Sequence, residues 1–279
     1  MNSLPQVRDV GADADWRSSP LSHADVIRKV VMRNGWLCPL LECPWVKSSI
    51  FKMDWLHAAD QGVTADFIGN VFHYLVEHYM TSGTREERYQ ELWLLIQQYY
   101  EDENVQDRLD TLQVSMVESG DGMKLRCSAA KCRALVPFLL RITDELCDTA
   151  ANPVEAEIYG ACFHLNKVYG CLSNDSPWSQ EEFKQSSIEF ATRYVSLHDR
   201  FNEENPKLWR IKPKMHFFLH LCSDGGKPSM HWCYRDEDFG GSIAKAARRR
   251  GGSRNPGATS ETMLLCMQIG TPRIAILPA

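Results

Sequence analysis

Between Thr64 and Asn202 apolar residues return every three to four positions and not in alternation, which restricts this part of the chain to packed amphipathic helices. Phe67, Ile68, Val71, Phe72, Leu75 and Val76 make one face over Ala65 to Met80, with Thr64 placed as its cap. Thr84-x-x-Glu87 is a capping box that opens a second helix, Arg85 to about Tyr100, burying Leu92, Trp93, Ile96 and Tyr99 or Tyr100. These two helices should pair. Three more are expected: Ser128 to Cys147, bent at Pro137; Val154 to Leu172, with Ile158, Cys162, Leu165, Tyr169 and Leu172 on one face; and Gln180 to Asn202 behind another box, Ser179-x-x-Glu182. The fold class is mainly α, a helical bundle with a short strand element.

The flanks are less regular. Residues 1–20 are polar, without periodicity, and read as a disordered arm. Ser22 opens a short helix with Val26, Ile27, Val30 and Val31 on one face, and Asn34-Gly35 stops it. The next segment holds Pro39, Pro44 and Cys38-x4-Cys43, a spacing that lacks the downstream pair of a zinc knuckle. Leu109 to Arg126, with Gly120-Asp121-Gly122 inside it, reads as linker or a small cap.

Composition removes several classes of function. With 44% hydrophobic and 24% charged residues and 8 Trp among 279 residues, the chain can build a core and is not a disordered protein. Its net charge of -5 means that any nucleic-acid contact must come from a local basic cluster. No apolar run approaches the roughly 18 residues of a membrane span, so no membrane partner is expected. The Cys residues sit mostly beside apolar residues in helical patterns (Cys132, Cys147, Cys162, Cys171) and no signal peptide precedes them, so an intracellular location, the nucleus included, is expected.

Two stretches carry chemistry. In the first, Ile50 to Asp54 reads as a short strand that delivers Asp54, with His57 one helical turn on, to an open edge; the alternative is that Asp54 caps the helix that follows. In the second, His216 and His220 lie one turn apart, but Phe217 stands where the zinc-hydrolase pattern needs Glu. His164 and His198, among apolar neighbours, read as structural imidazoles. Asp236-Glu237-Asp238 opens a helix that ends at Arg248-Arg249-Arg250. Helix-dipole complementation explains both ends, while Lys245, Arg248, Arg249, Arg250 and Arg254 together also suit phosphate contacts.

Taken in order, Asp54-Trp55-Leu56-His57 with Asp60-x-Gly62-Val63, then Lys212-Pro213-Lys214-Met215-His216-Phe217-Phe218-Leu219-His220-Leu221, then Trp232 with Asp236-Glu237, resemble the C-terminal part of DNA transposases of the CACTA (En/Spm-like) type over roughly residues 50–250. The resemblance implies the remnant of an RNase H-like core interrupted by a helical insertion, and two-metal phosphodiester chemistry with Mg2+ or Mn2+. On this chain Asp54 and His57 match the accessory Asp-x-x-His and Glu237, or its neighbour Asp236, matches the third acid, so Asp54 and Glu237 are the implied metal ligands and Asp54, His57 and Glu237 the implied catalytic set. The family's first two acids have no counterpart. Before Asp54 the only Asp residues are Asp9, Asp13, Asp15 and Asp25, in the polar arm and at a helix start.

The organisation expected is an arm over 1–20, a segment over 21–63 ending in Asp-x-x-His, a helical insertion over 64–210, the distal His/acid and basic region over 211–252, and a tail over 253–279. The function expected is a transposase-derived protein, catalytically incomplete. The alternative is a helical DNA-binding or protein-interaction module without chemistry. A hydrolase built on Asp54 and His57 ranks last, because no glycine elbow or oxyanion loop accompanies them. DNA through the Arg248–Arg250 cluster, and self-association, are the partners expected.

Overall fold

The computed structural model describes residues 8–18, 21–173, 177–223, 226–249 and 254–270. The chain divides into two compact units, Met1–Trp232 and Cys233–Ala279.

The first unit is helical. Helix α1 (His23–Asn34) starts at a capping box in which Ser22 and Asp25 satisfy each other's backbone N–H, and stops at Gly35, whose φ of 74° lets its N–H reach the Val31 carbonyl. After a one-turn helix (Pro39–Glu42) and a 3-10 turn (Ser48–Ile50), residues 51–54 have no regular structure. The expected strand at 50–54 is therefore corrected. A strand needs a ladder, and the strands among the described residues are β1 (Glu118–Ser119) and β2 (Gly122–Met123), which pair only with each other.

Trp55 instead opens a helical run in which Leu56–Thr64 is π-helical and passes directly into α2 (Ala65–His78). Thr64 consequently caps nothing: it has helical backbone angles, and its hydroxyl meets the Tyr169 hydroxyl at 2.8 Å. Helix α3 (Arg85–Asp102) begins at the Thr84/Glu87 box as the sequence indicates. Gly120-Asp121 is the turn between β1 and β2, and Gly122 opens β2.

Helices α4 (Ala129–Ala134) and α5 (Val136–Leu146) are separated at Leu135, with Pro137 in the first turn of α5, where its missing N–H leaves no helical bond unmade. Helices α6 (Pro153–Leu172) and α7 (Gln180–Phe201) pack along each other, and α8 (Pro213–Ser223) packs on the π-helix and α7. Ser179 caps α7 by accepting from the Glu182 N–H. One aromatic core joins these elements. The fully buried Trp55 ring lies 5.7 Å from Tyr169, 5.8 Å from Phe183 and 5.7 Å from Phe218.

The arm needs a second correction. Over residues 8–18 the chain is docked: Val10 and Ala14 are buried, and Trp16 lies on the rings of His216 and His220 with centroids 4.8 and 4.4 Å away. Three apolar side chains in a polar segment supply that burial, and the average character of the segment conceals them. Residues 1–7 and 19–20 lie outside the described residues.

The second unit packs α9 (Tyr234–Arg249) against α10 (Pro256–Gly270), so the region expected as a tail contains a helix. Among the described residues no helix is long and apolar enough to cross a membrane.

Candidate functional site

Asp54 and His57 meet. The Asp54 carboxylate accepts the His57 backbone N–H at 2.9 Å, and the same oxygen lies 2.6 Å from His57 Nδ1; the Asp54 carbonyl accepts the Ala58 N–H at 3.1 Å. This is an N-cap, with the cap's carboxylate also fixing the ring three residues on. The spacing brings the two side chains together as expected, through the helix start rather than through a strand end.

Glu237 lies in the first turn of α9 beside Asp236, in the second unit, and its N–H bonds the Cys233 carbonyl at 2.9 Å. Lys245, Arg248 and Arg249 are exposed on α9, and Arg254 is exposed before α10. Arg250 lies outside the described residues. Acidic first turn and basic last turn on one helix are the arrangement that the helix dipole favours.

The imidazoles of α8 face each other. His216 Nε2 and His220 Nε2 are 3.0 Å apart beneath Trp16, and His216 Nδ1 is buried with no hydrogen-bond partner among the described residues. His198 behaves as a structural imidazole, its Nδ1 3.1 Å from the Trp209 carbonyl, whereas buried His164 Nδ1 has no hydrogen-bond partner among the described residues.

The π-helix organises a polar interior. Asp60 is fully buried and accepts from Trp55 Nε1 at 3.1 Å and from the Tyr169 hydroxyl. π-Helical turns are rare and concentrate at functional sites. Six residues further on, buried Asp66 accepts from Lys212 Nζ at 2.8 Å, and Lys124 Nζ donates to the Gln61 carbonyl of the π-helix at 2.7 Å. Burial pushes the Asp66 carboxyl up, opposed by Lys212, Lys124 and Lys214. Burial and then Lys124 push the Lys214 ammonium down, with Asp66 opposing. Lys214 makes no ion pair or hydrogen bond of its own among the described residues.

Close backbone approach assembles this cluster. A Cβ on Gly69 would lie 2.5 Å from the backbone of Lys124, so only glycine lets the segment after β2 lie flat on α2, where the Leu125 N–H bonds the Ala65 carbonyl at 2.9 Å. A Cβ on Gly62 would meet the Lys214 stem at 2.8 Å. Buried Trp209 has a φ of 51°, and its N–H bonds Asn70 Oδ1 at 2.8 Å while Asn70 Nδ2 reaches the Asp66 carbonyl at 2.7 Å. That left-handed residue turns the chain so that Arg210 bonds the Asp121 carbonyl at 2.7 Å and Lys212 reaches Asp66. Lys207, Arg210, Lys212 and Lys214 thereby line adjoining narrow clefts around Asp66, with Asp121 at their edge.

Sequence reasoning missed this basic cluster. Lys212 and Lys214 entered it only as part of a family motif, and their partners Lys124 and Asp66 are remote in the chain. The one signal for it was the alternation Arg210, Lys212, Lys214 at the start of an apolar helix. Compared with known proteins, the chain matches no family model, no curated protein and no solved structure.

Proposed function

We propose that this chain is a transposase-derived helical module that binds DNA through phosphate contacts and does not cut it. The observation that carries the reading is the cluster of Lys124, Lys207, Arg210, Lys212 and Lys214 around one buried carboxylate, with Lys214 making no ion pair or hydrogen bond of its own among the described residues. In a chain of net charge -5 such a concentration of cations is a local phosphate-binding surface. Lys207 and Arg210 are exposed at its rim and can reach a phosphodiester backbone. Lys245, Arg248, Arg249 and Arg254 form a second, exposed basic set on the other unit.

The absence of cutting follows from chemistry. Two-metal cleavage needs several carboxylates converging on one place. Asp54, the acid that the family resemblance singles out in the first unit, is committed to its helix start and to His57. The descent from an RNase H-like transposase rests on the order of the three motifs. Magnesium or manganese belongs to the ancestral chemistry in this reading.

Fluorescence anisotropy of a labelled duplex across a salt series, run beside a plasmid-nicking assay in Mg2+ or Mn2+, tests both halves. Salt-sensitive binding without nicking is expected. Metal-dependent nicking abolished by Glu237→Gln, or no DNA binding at low salt, would refute the reading.

A second reading, an interaction module that self-associates, is favoured by exposed Trp36, Leu40, Trp45, Ile50 and Phe51 close together in the chain. Light scattering at increasing concentration tests it, and a constant monomer mass would dismiss it.

A further inference from the structure

Cys127 and Cys132 form a thiol pair that neither the family resemblance nor the basic cluster uses. Ser128 takes the extended N-cap conformation before α4, so Cys127 is the residue preceding the cap and Cys132 the fourth residue of the helix. Those two positions pack together at helix starts. Here the packing brings Cys127 Sγ to 3.3 Å from Cys132 Sγ. Cys132 is fully buried against the π-helix side of the core, while Cys127 is half-buried and lines a recess of about 200 Å³ with Arg126 and Lys131.

The two thiols differ in character. The Cys132 S–H and the nearby Lys131 ammonium hold the Cys127 thiol below its ordinary value against the effect of burial. Contact with Cys127 and burial hold Cys132 above its own. The more acidic sulfur is thus the one at the recess, and the more basic one lies behind it, the order in which an attacking and a resolving cysteine act.

We propose that Cys127 and Cys132 are a redox-active dithiol that closes to an intramolecular disulfide by exchange with a small anionic disulfide of the glutathione type. The Cys127 thiolate attacks one sulfur of the disulfide, and the first small thiolate leaves and takes up the proton that Cys127 released. Cys132 then gives its proton to the second leaving thiolate as its sulfur attacks Cys127. Two protein thiols are oxidised and one small disulfide is reduced to two thiols. Arg126 and Lys131 at the recess favour a carboxylate-bearing reactant, although Lys131 also holds Asp110 at 2.8 Å.

Cys38 and Cys43 have the same sequence spacing and serve as an internal control. Cys38 is itself the residue before Pro39–Glu42, so the two do not occupy the packed positions, and the Cys43 thiol faces the Pro39 carbonyl at 3.8 Å.

The full native chain is treated with oxidised glutathione, quenched with N-ethylmaleimide and mapped by mass spectrometry. The expected result is loss of two hydrogens from the peptide carrying Cys127 and Cys132, loss of alkylation at both, and recovery with dithiothreitol. Cys132→Ala is expected to accumulate a stable glutathione adduct on Cys127; if that variant does not fold, the wild-type map decides alone. Full alkylation of both thiols after oxidant, or a wild-type adduct on Cys127 that never resolves to the internal disulfide, would overturn the proposal.

Discussion

At Asp54 one carboxylate serves the His57 backbone and the His57 ring together, so its removal exposes a helix start. Asp54→Ala should destabilise the protein by about 1 kcal/mol, the ordinary cost of a lost N-cap. His57→Ala should cost less, because the backbone bond survives. Thermal unfolding of the two variants checks the order, and equal losses would mean that the side-chain pair dominates. Lys212 and Lys214 make a sharper contrast. Lys212→Ala leaves the Asp66 carboxylate buried without its ion pair and should cost up to about 3 kcal/mol, the low end for a broken buried pair because Lys212 is 34% exposed. Lys214→Ala removes a cation that burial and neighbouring lysines already disfavour, and should leave the unfolding midpoint in urea nearly unchanged.

Among the elements, the π-helix and the crossing at Gly69 decide how the cluster is built. Gly69→Ala places a methyl 2.5 Å from the Lys124 backbone, where no flexible side chain can yield. The cost of overpacking, about 1–3 kcal/mol, should appear as a lowered midpoint in chemical unfolding. An unchanged midpoint would show that the strand segment moves freely over α2. Local signals were sufficient for the helices: the Thr84/Glu87 box, the stop at Gly35 and the break near Pro137 all depend on residues within one turn of each other. They were insufficient at Ile50–Asp54, where an apolar run is compatible with either a strand or an extended approach to a helix, and only a partner strand could decide. The π-helical winding was likewise not legible, since the Tyr169 hydroxyl that meets Asp60 within it comes from a distant helix. Asp54 and His57 were legible as a pair because one helical turn joins them. The Lys124–Asp66–Lys212 cluster was not, because the fold alone brings its members together.

For the molecule as a whole, burial depresses five histidines, His73, His164, His198, His216 and His231, below the ordinary value of 6.5. The unfolded chain therefore binds protons before the folded one does, so their contribution to stability is complete above pH 6.5 and is lost as the pH falls below it. Unfolding midpoints measured from pH 7.5 down to about 5 should decline through that window. A flat profile would show that these imidazoles are accessible to solvent. Two basic surfaces lie on two separate units. The most direct measurement is the salt dependence of duplex DNA binding by the full chain, by Lys207→Ala/Arg210→Ala/Lys214→Ala, and by Arg248→Ala/Arg249→Ala/Arg254→Ala. Every phosphate that a variant no longer neutralises lowers the slope of log K against log salt by about 0.9. The first triple variant should lose about two to three units of slope together with most of its affinity, and the second should lose less. An unchanged slope in the first variant, with the loss confined to the second, would contradict the assignment of DNA binding to the cluster around Asp66.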